Sequence, residues 1–94
     1  AYLCGKLRER GFRPVILSRG YGGRLQGPHR VQKSDLPVDV GDEPLLHHLL
    51  GAEVVVSRDR VSGAKFIERE GLGDCILLDD GFQHRALSRQ LNLL

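Results

Sequence analysis

The chain has 94 residues, 40% of them hydrophobic and 28% charged, with a formal net charge of +2. That length holds one domain at most, and that composition describes a folding sequence rather than a disordered one. The small net charge argues against a nucleic-acid partner, and no apolar run approaches the ~18 residues needed to cross a bilayer.

Residues 1–11, AYLCGKLRERG, place Tyr2, Leu3 and Leu7 on one helical face, with Gly11 as a stop signal. No capping residue precedes them, so this helix is expected to begin before Ala1. Residues 13–20, RPVILSRG, form a short apolar run bounded by Pro14 and Gly20, which predicts a buried strand. GYGGRLQGPHR then reads as a loop, rich in Gly and Pro. In VGDEPLLHHLLGA, Asp42 or Glu43 is placed to cap a helix and Pro44 suits its first turn. Leu45, Leu46, Leu49 and Leu50 would form its apolar stripe, and Gly51 would end it. AEVVVS, residues 52–57, predicts a second buried strand. RDRVSGAKFIEREG predicts a helix with Val61, Ala64 and Ile67 inward and Gly71 as its stop. DCILLDD predicts a third strand, and LNLL at residues 91–94 the first half of a fourth.

Helices alternating with short β-branched strands predict an α/β fold, a parallel sheet with crossover helices. No repeat or linker divides residues 1–94, which read as one partial domain of a larger α/β unit. Cys4 and Cys75 lie beside apolar residues without a CxxC spacing and read as reduced core residues. The four histidines show no metal-ligand spacing. The neighbours His47 and His48 would point about 100° apart on a helix, too divergent to clasp one ion.

In open parallel sheets, ligands bind outside the carboxyl ends of the strands. All three predicted strands end in candidate chemistry. The first runs into Ser18-Arg19-Gly20-Tyr21-Gly22-Gly23, the second into Ser57-Arg58-Asp59-Arg60, and the third into Asp79-Asp80-Gly81-Phe82-Gln83-His84. An apolar strand ending in Asp is the shape of a Walker B element, whose carboxylate holds Mg²⁺ on nucleotide phosphates. The alternative is that one Asp caps a helix while the other is solvated. Two adjacent carboxylates at a buried tip repel unless a cation is present, which favours the metal. Asp42 and Glu43 can serve as helix caps alone, or as site residues behind Gly41. Arg58 and Arg60 can clamp a phosphate or lie exposed at a helix start. Tyr21 can stack on a sugar or pack over its loop. The eleven Arg against three Lys mildly favour an anionic ligand, although base composition explains the skew equally well. No GxxxxGK[ST] loop occurs in the chain. Residue types alone therefore reach a partial α/β site for Mg²⁺ and phosphate.

Taken in order, SRGYGG, VGDEPLLH, a strand followed by Arg58-Asp59-Arg60, LLDDGFQHRAL and LNLL resemble the tetraacyldisaccharide 4'-kinase family. These are the lipid A 4'-kinases of Gram-negative bacteria, and the resemblance runs nearly continuously from residue 1 to 94. It implies a P-loop NTPase-like kinase that uses ATP and Mg²⁺ to phosphorylate the 4'-hydroxyl of a lipid A disaccharide precursor. It also implies work at the cytoplasmic face of the inner membrane, through a membrane-associating N-terminal segment upstream of Ala1. A Walker A loop would precede Ala1, and a downstream half would supply a supporting histidine. By this resemblance Asp42 is the catalytic base, and Glu43 and Gln83 lie by the cofactor. Asp79 and Asp80 bind the metal, while Asp80 and His84 take part in catalysis. Tyr21, Arg58 and Arg60 fall where the family contacts its disaccharide. Gln90 departs from the pattern, standing where an acidic residue is expected. The competing expectations are another P-loop kinase or ATPase, or a phosphate-binding module without catalysis; without the phosphate loop, the chain alone is expected to be inactive.

Overall fold

The computed structural model describes residues 2–20, 22–79 and 84–88, with residues 2–4 and 84–88 as backbone alone. Among the described residues, four helices and five strands follow in chain order: α1 (Tyr2–Glu9), β1 (Pro14–Ser18), β2 (His29–Arg30), α2 (Pro37–Val40), α3 (Asp42–Leu49), β3 (Glu53–Val56), α4 (Arg60–Glu70), β4 (Cys75–Asp79) and β5 (His84–Ser88). The strands form one sheet in the order β2-β3-β1-β4-β5. β1 lies at its centre, parallel to β3 and β4, as the helix-strand alternation predicts.

Both edges depart from the predicted all-parallel sheet. β2 pairs antiparallel with β3, and β5 pairs antiparallel with β4, so the sheet is mixed. β5 has a topological reason. Residues 80–83 alone separate it from β4, whereas a parallel return needs a crossover of about a dozen residues. β2 has two residues, both polar at the side chain, and so carries no periodic signal. Arg30 on β2 instead grips Glu53 on β3 with two hydrogen bonds of 2.6 and 3.0 Å. The predicted strand at LNLL lies outside the described residues.

The three parallel strands are apolar on both faces, as expected where helices cover a sheet twice. Their alternation sorts the core into two layers. Ile16, Val54, Val56 and Leu77 point to one side, with Val31, Val40, Leu45 and the half-buried Leu7 of α1. Val15, Leu17, Val55, Ile76 and Leu78 point to the other, against Ile67, Ala64 and Phe66 of α4. Cys75 is buried in the sheet as a free thiol, as the sequence predicts; the side chain of Cys4 lies outside the described residues.

The helices bury arcs that differ from the predicted ones. On α3, Pro44 and Leu45 are buried, while Leu46, Leu49 and Leu50 are exposed. At about 100° per residue, Pro44 and His48 centre the inward arc and those three leucines fall opposite. Nor do Asp42 or Glu43 cap α3. The N-cap is Gly41, at φ 97°, with no side-chain cap bond, because Asp42 is already the first helical residue. On α4, Ile67 is buried as predicted, but Val61 is exposed and Gly63 is buried instead.

Gly63 explains that shift. A Cβ there would lie 2.6 Å from Leu17 Cδ1 and 3.0 Å from Ser57 Cβ, so the helix seats against the sheet only without one. Gly63→Val is therefore expected to lower stability by about 1–3 kcal/mol, since overpacking outweighs the gain in helix propensity. Thermal melting checks this, and an unchanged melting temperature would mean that α4 lifts freely off β1.

Candidate cation-binding active site

The carboxyl ends of the parallel strands lie level with one another. Ser18 at the end of β1 pairs with Val56 of β3 on one side and with Asp79 of β4 on the other. Asp79 follows Leu77 by two residues, so the pleat turns it to the face that α3 covers. Its side chain is 1% exposed, an expensive place for a carboxylate that no positive group faces.

α3 places an imidazole against it. His47 approaches Asp79 with Nε2 3.6 Å from Oδ2, and its side chain is 13% exposed. Glu43 precedes His47 by four residues, so the two share one helical face. One donor atom each from Glu43, His47 and Asp79 all lie within 4.8 Å of one another. Two ligands opposite each other on a small dication stand about 4.2–4.6 Å apart, so this donor set fits such an ion with little rearrangement. Asp42 stands exposed on the first turn of the same helix.

The glycine-rich loop after β1 is pinned rather than loose. Gly20 donates its N–H to Ser18 Oγ at 3.0 Å. Arg24 and Leu25 donate theirs to Val38 and Asp39, and the Arg24 guanidinium grips Asp39 at 2.7 Å. Gly23 is required here, because a Cβ would fall 2.5 Å from the Asp39 carbonyl oxygen and 2.7 Å from the Gly41 nitrogen. Arg58 fastens the far side, donating from its guanidinium to the Gly23 carbonyl at 2.7 Å and from its N–H to that of Gln26. Arg58 thus holds the glycine-rich loop that follows β1.

Behind the β3 tip, Ser57 donates its N–H to the Ser18 carbonyl and its hydroxyl to that of Asp59. Asp59 is the N-cap of α4, accepting from the N–H of Ser62 at 3.2 Å and from its hydroxyl at 2.6 Å. Those hydrogen bonds hold the Asp59 carboxyl below its ordinary range. Arg60 begins α4 beside it, half-buried.

The structure therefore brings together Glu43 and Asp79 among the predicted residues, with Asp42 on the adjoining turn. Arg58 and Arg60 follow the neighbouring strand tip. His84 begins β5 opposite Asp79 in the ladder, and its side chain lies outside the described residues, as do Tyr21, Asp80 and Gln83. The reading that the histidines have no ligand spacing is corrected. His47 and His48 do diverge, but His47 pairs with Glu43 one turn earlier, and the Glu-x-x-x-His spacing was the available signal.

Fold and site together define an α/β protein with a cluster of two carboxylates and an imidazole at the carboxyl ends of its parallel strands. The family described as Tetraacyldisaccharide-1-P 4'-kinase matches residues 1–94. The chain belongs to that family. It is 52% identical over 85 residues to the Tetraacyldisaccharide 4'-kinase of Afipia carboxidovorans, covering 88% of this chain and 24% of that protein. It is 50% identical over 93 residues to the protein of that name from Rhodopseudomonas palustris strain TIE-1, covering 98% of the chain and 27% of the relative. With that of Shewanella oneidensis the identity is 43% over 94 residues, 99% of the chain and 28% of the relative. The chain thus spans about a quarter of the length of the curated relatives it matches. No solved structure matches it.

Proposed function

We propose that the protein to which these residues belong is an ATP-dependent kinase for the 4'-hydroxyl of a tetraacyldisaccharide 1-phosphate lipid A precursor. What supports the reading most is the meeting of Glu43 with the buried Asp79 at the strand tip, in a chain that belongs to this family along its whole length. In the reading, these residues are the central part of a P-loop kinase domain. The phosphate cradle comes from outside the 94 residues, in a protein with the length of its relatives.

Asp79, Asp80 and Glu43 would hold Mg²⁺. Bound there, the ion would neutralise charge on the nucleotide phosphates. Asp42 takes the proton of the 4'-hydroxyl as the sugar oxygen bonds to the γ-phosphorus. The bond from that phosphorus to the β,γ-bridging oxygen breaks, and ADP leaves. Gln83 would contribute to nucleotide binding, and Asp80 and His84 to catalysis. Tyr21, Arg58 and Arg60 bind the disaccharide, with Arg58 also keeping the glycine-rich loop in place. The lipid acceptor requires work at the cytoplasmic face of the inner membrane. Among the described residues no helix is long and apolar enough to cross a membrane.

The test is an assay of the full-length protein with ATP, Mg²⁺ and the tetraacyldisaccharide 1-phosphate. The expected product is heavier by one phosphoryl group at the 4'-position, and its formation stops with a chelator and resumes with added Mg²⁺. An acceptor recovered unchanged, with ATP intact or simply hydrolysed, would overturn the assignment.

A further inference from the structure

The proposed cation site contains a donor that phosphoryl transfer does not itself require. His47 adds an imidazole nitrogen to two carboxylates, and it does so from inside the fold. Glu43 is exposed, whereas His47 and Asp79 keep 13% and 1% of their side-chain surface. Their relative position is set by three separate features. The pleat turns Asp79 toward α3, Pro44 and Leu45 seat α3 on the sheet, and the four-residue spacing stacks His47 over Glu43.

A 3.6 Å approach of Nε2 to Oδ2 is longer than a good hydrogen bond. It is also close to the separation of two adjacent ligands on one ion, about 3 Å for bonds near 2.1 Å. The same nitrogen can therefore face the carboxylate as a neighbour on a cation. Mg²⁺ favours oxygen donors and gives up its waters reluctantly. Imidazole favours the later first-row dications, and affinity for mixed nitrogen and oxygen sites rises from Mn²⁺ through Co²⁺.

We propose that His47 is a direct metal ligand, and that Glu43, His47 and Asp79 form a mixed-donor site that prefers Mn²⁺, Co²⁺ or Zn²⁺ to Mg²⁺. This deepens the cation-site reading above and rests on it. Three protein ligands leave further positions on such an ion for water or a phosphate oxygen. Mg²⁺ retains the two carboxylates, so losing His47 affects it far less than it affects Co²⁺.

The experiment uses the full-length protein and the metals alone. Co²⁺ binding is followed by its visible absorption and Mg²⁺ by competition, in the wild type and in His47→Gln. The variant is expected to weaken Co²⁺ by at least ~10-fold to 100-fold, the loss that even an indirect supporting partner can cause. Its Mg²⁺ affinity is expected to change less than about threefold, well under one tenfold step. Pulsed electron spin-echo spectra of the Mn²⁺-loaded wild type should show modulation from an imidazole nitrogen, lost in His47→Gln. Should that variant fail to fold, Glu43→Gln, at an exposed position, should weaken Co²⁺ and diminish the same signal.

Equal Co²⁺ affinity in folded wild type and His47→Gln would overturn the proposal, as would a Mn²⁺ spectrum without nitrogen modulation. Disaccharide phosphorylation without nitrogen ligation would sink this inference and leave the kinase reading standing. Nitrogen ligation in a protein that phosphorylates no disaccharide would do the reverse.

Discussion

Asp79→Asn in the full-length protein is expected to lower kcat at least a hundredfold, about 2.7 kcal/mol in the barrier, and to raise the Mg²⁺ concentration required. The substitution keeps the shape of a side chain that is 1% exposed, so β4 and its pairing with β1 should survive. What disappears is the charge that faces Glu43 and His47. A carboxylate buried at a strand tip stabilises little by itself, because desolvation offsets much of what its partners return. Thermal melting should therefore change by only a few degrees, a shift of about 1 kcal/mol, while turnover collapses. An unchanged Mg²⁺ response in Asp79→Asn would leave Asp79 as a structural acid beside His47.

Asp42→Asn is expected to cost ~10² to 10⁴ in kcat, the usual loss on removing a general base, with ATP affinity retained. The fold makes this variant cleaner than the sequence suggests. A capping Asp would confound stability with chemistry, but Gly41 is the N-cap and Asp42 is already the first helical residue. Only the favourable charge at the helix start is lost, about 0.3–1 kcal/mol. Kinetics and melting on the same preparation separate the two effects. Near-normal turnover would place the base elsewhere.

The central strands were legible because short apolar runs ending at Gly, Ser or Asp have few other uses. The edges were not. β2 has two polar residues, and β5 begins at His84, inside a stretch whose chemistry masked its backbone role. The parallel prediction failed there because it assumed crossovers, and residues 80–83 are too few for one. On α3 the four leucines suggested a stripe, yet the buried arc runs through Pro44, Leu45 and the two histidines, of which His47 reaches the acidic tip. Leucine count misled because packing angle, not hydrophobicity alone, decides which side of a two-turn helix is covered. The site was half legible. Asp79 could be named from motif shape and Glu43 from the family resemblance, but their meeting needs the pleat, and His47 enters only once α3 is laid on the sheet. Arg58 shows the opposite limit. Its charge suggested a ligand, and the Gly23 carbonyl gives it a loop to hold as well.

In the proposed site, the α3 start and the β4 tip close around one divalent cation. Anomalous scattering from Mn²⁺-soaked crystals of the full-length protein measures this directly. A single strong peak is expected about 2.0–2.3 Å from carboxylate oxygens of Glu43 and Asp79 and from a His47 ring nitrogen. A peak that leaves Asp79 outside coordination distance, or no peak between α3 and β4 at saturating Mn²⁺, would contradict it.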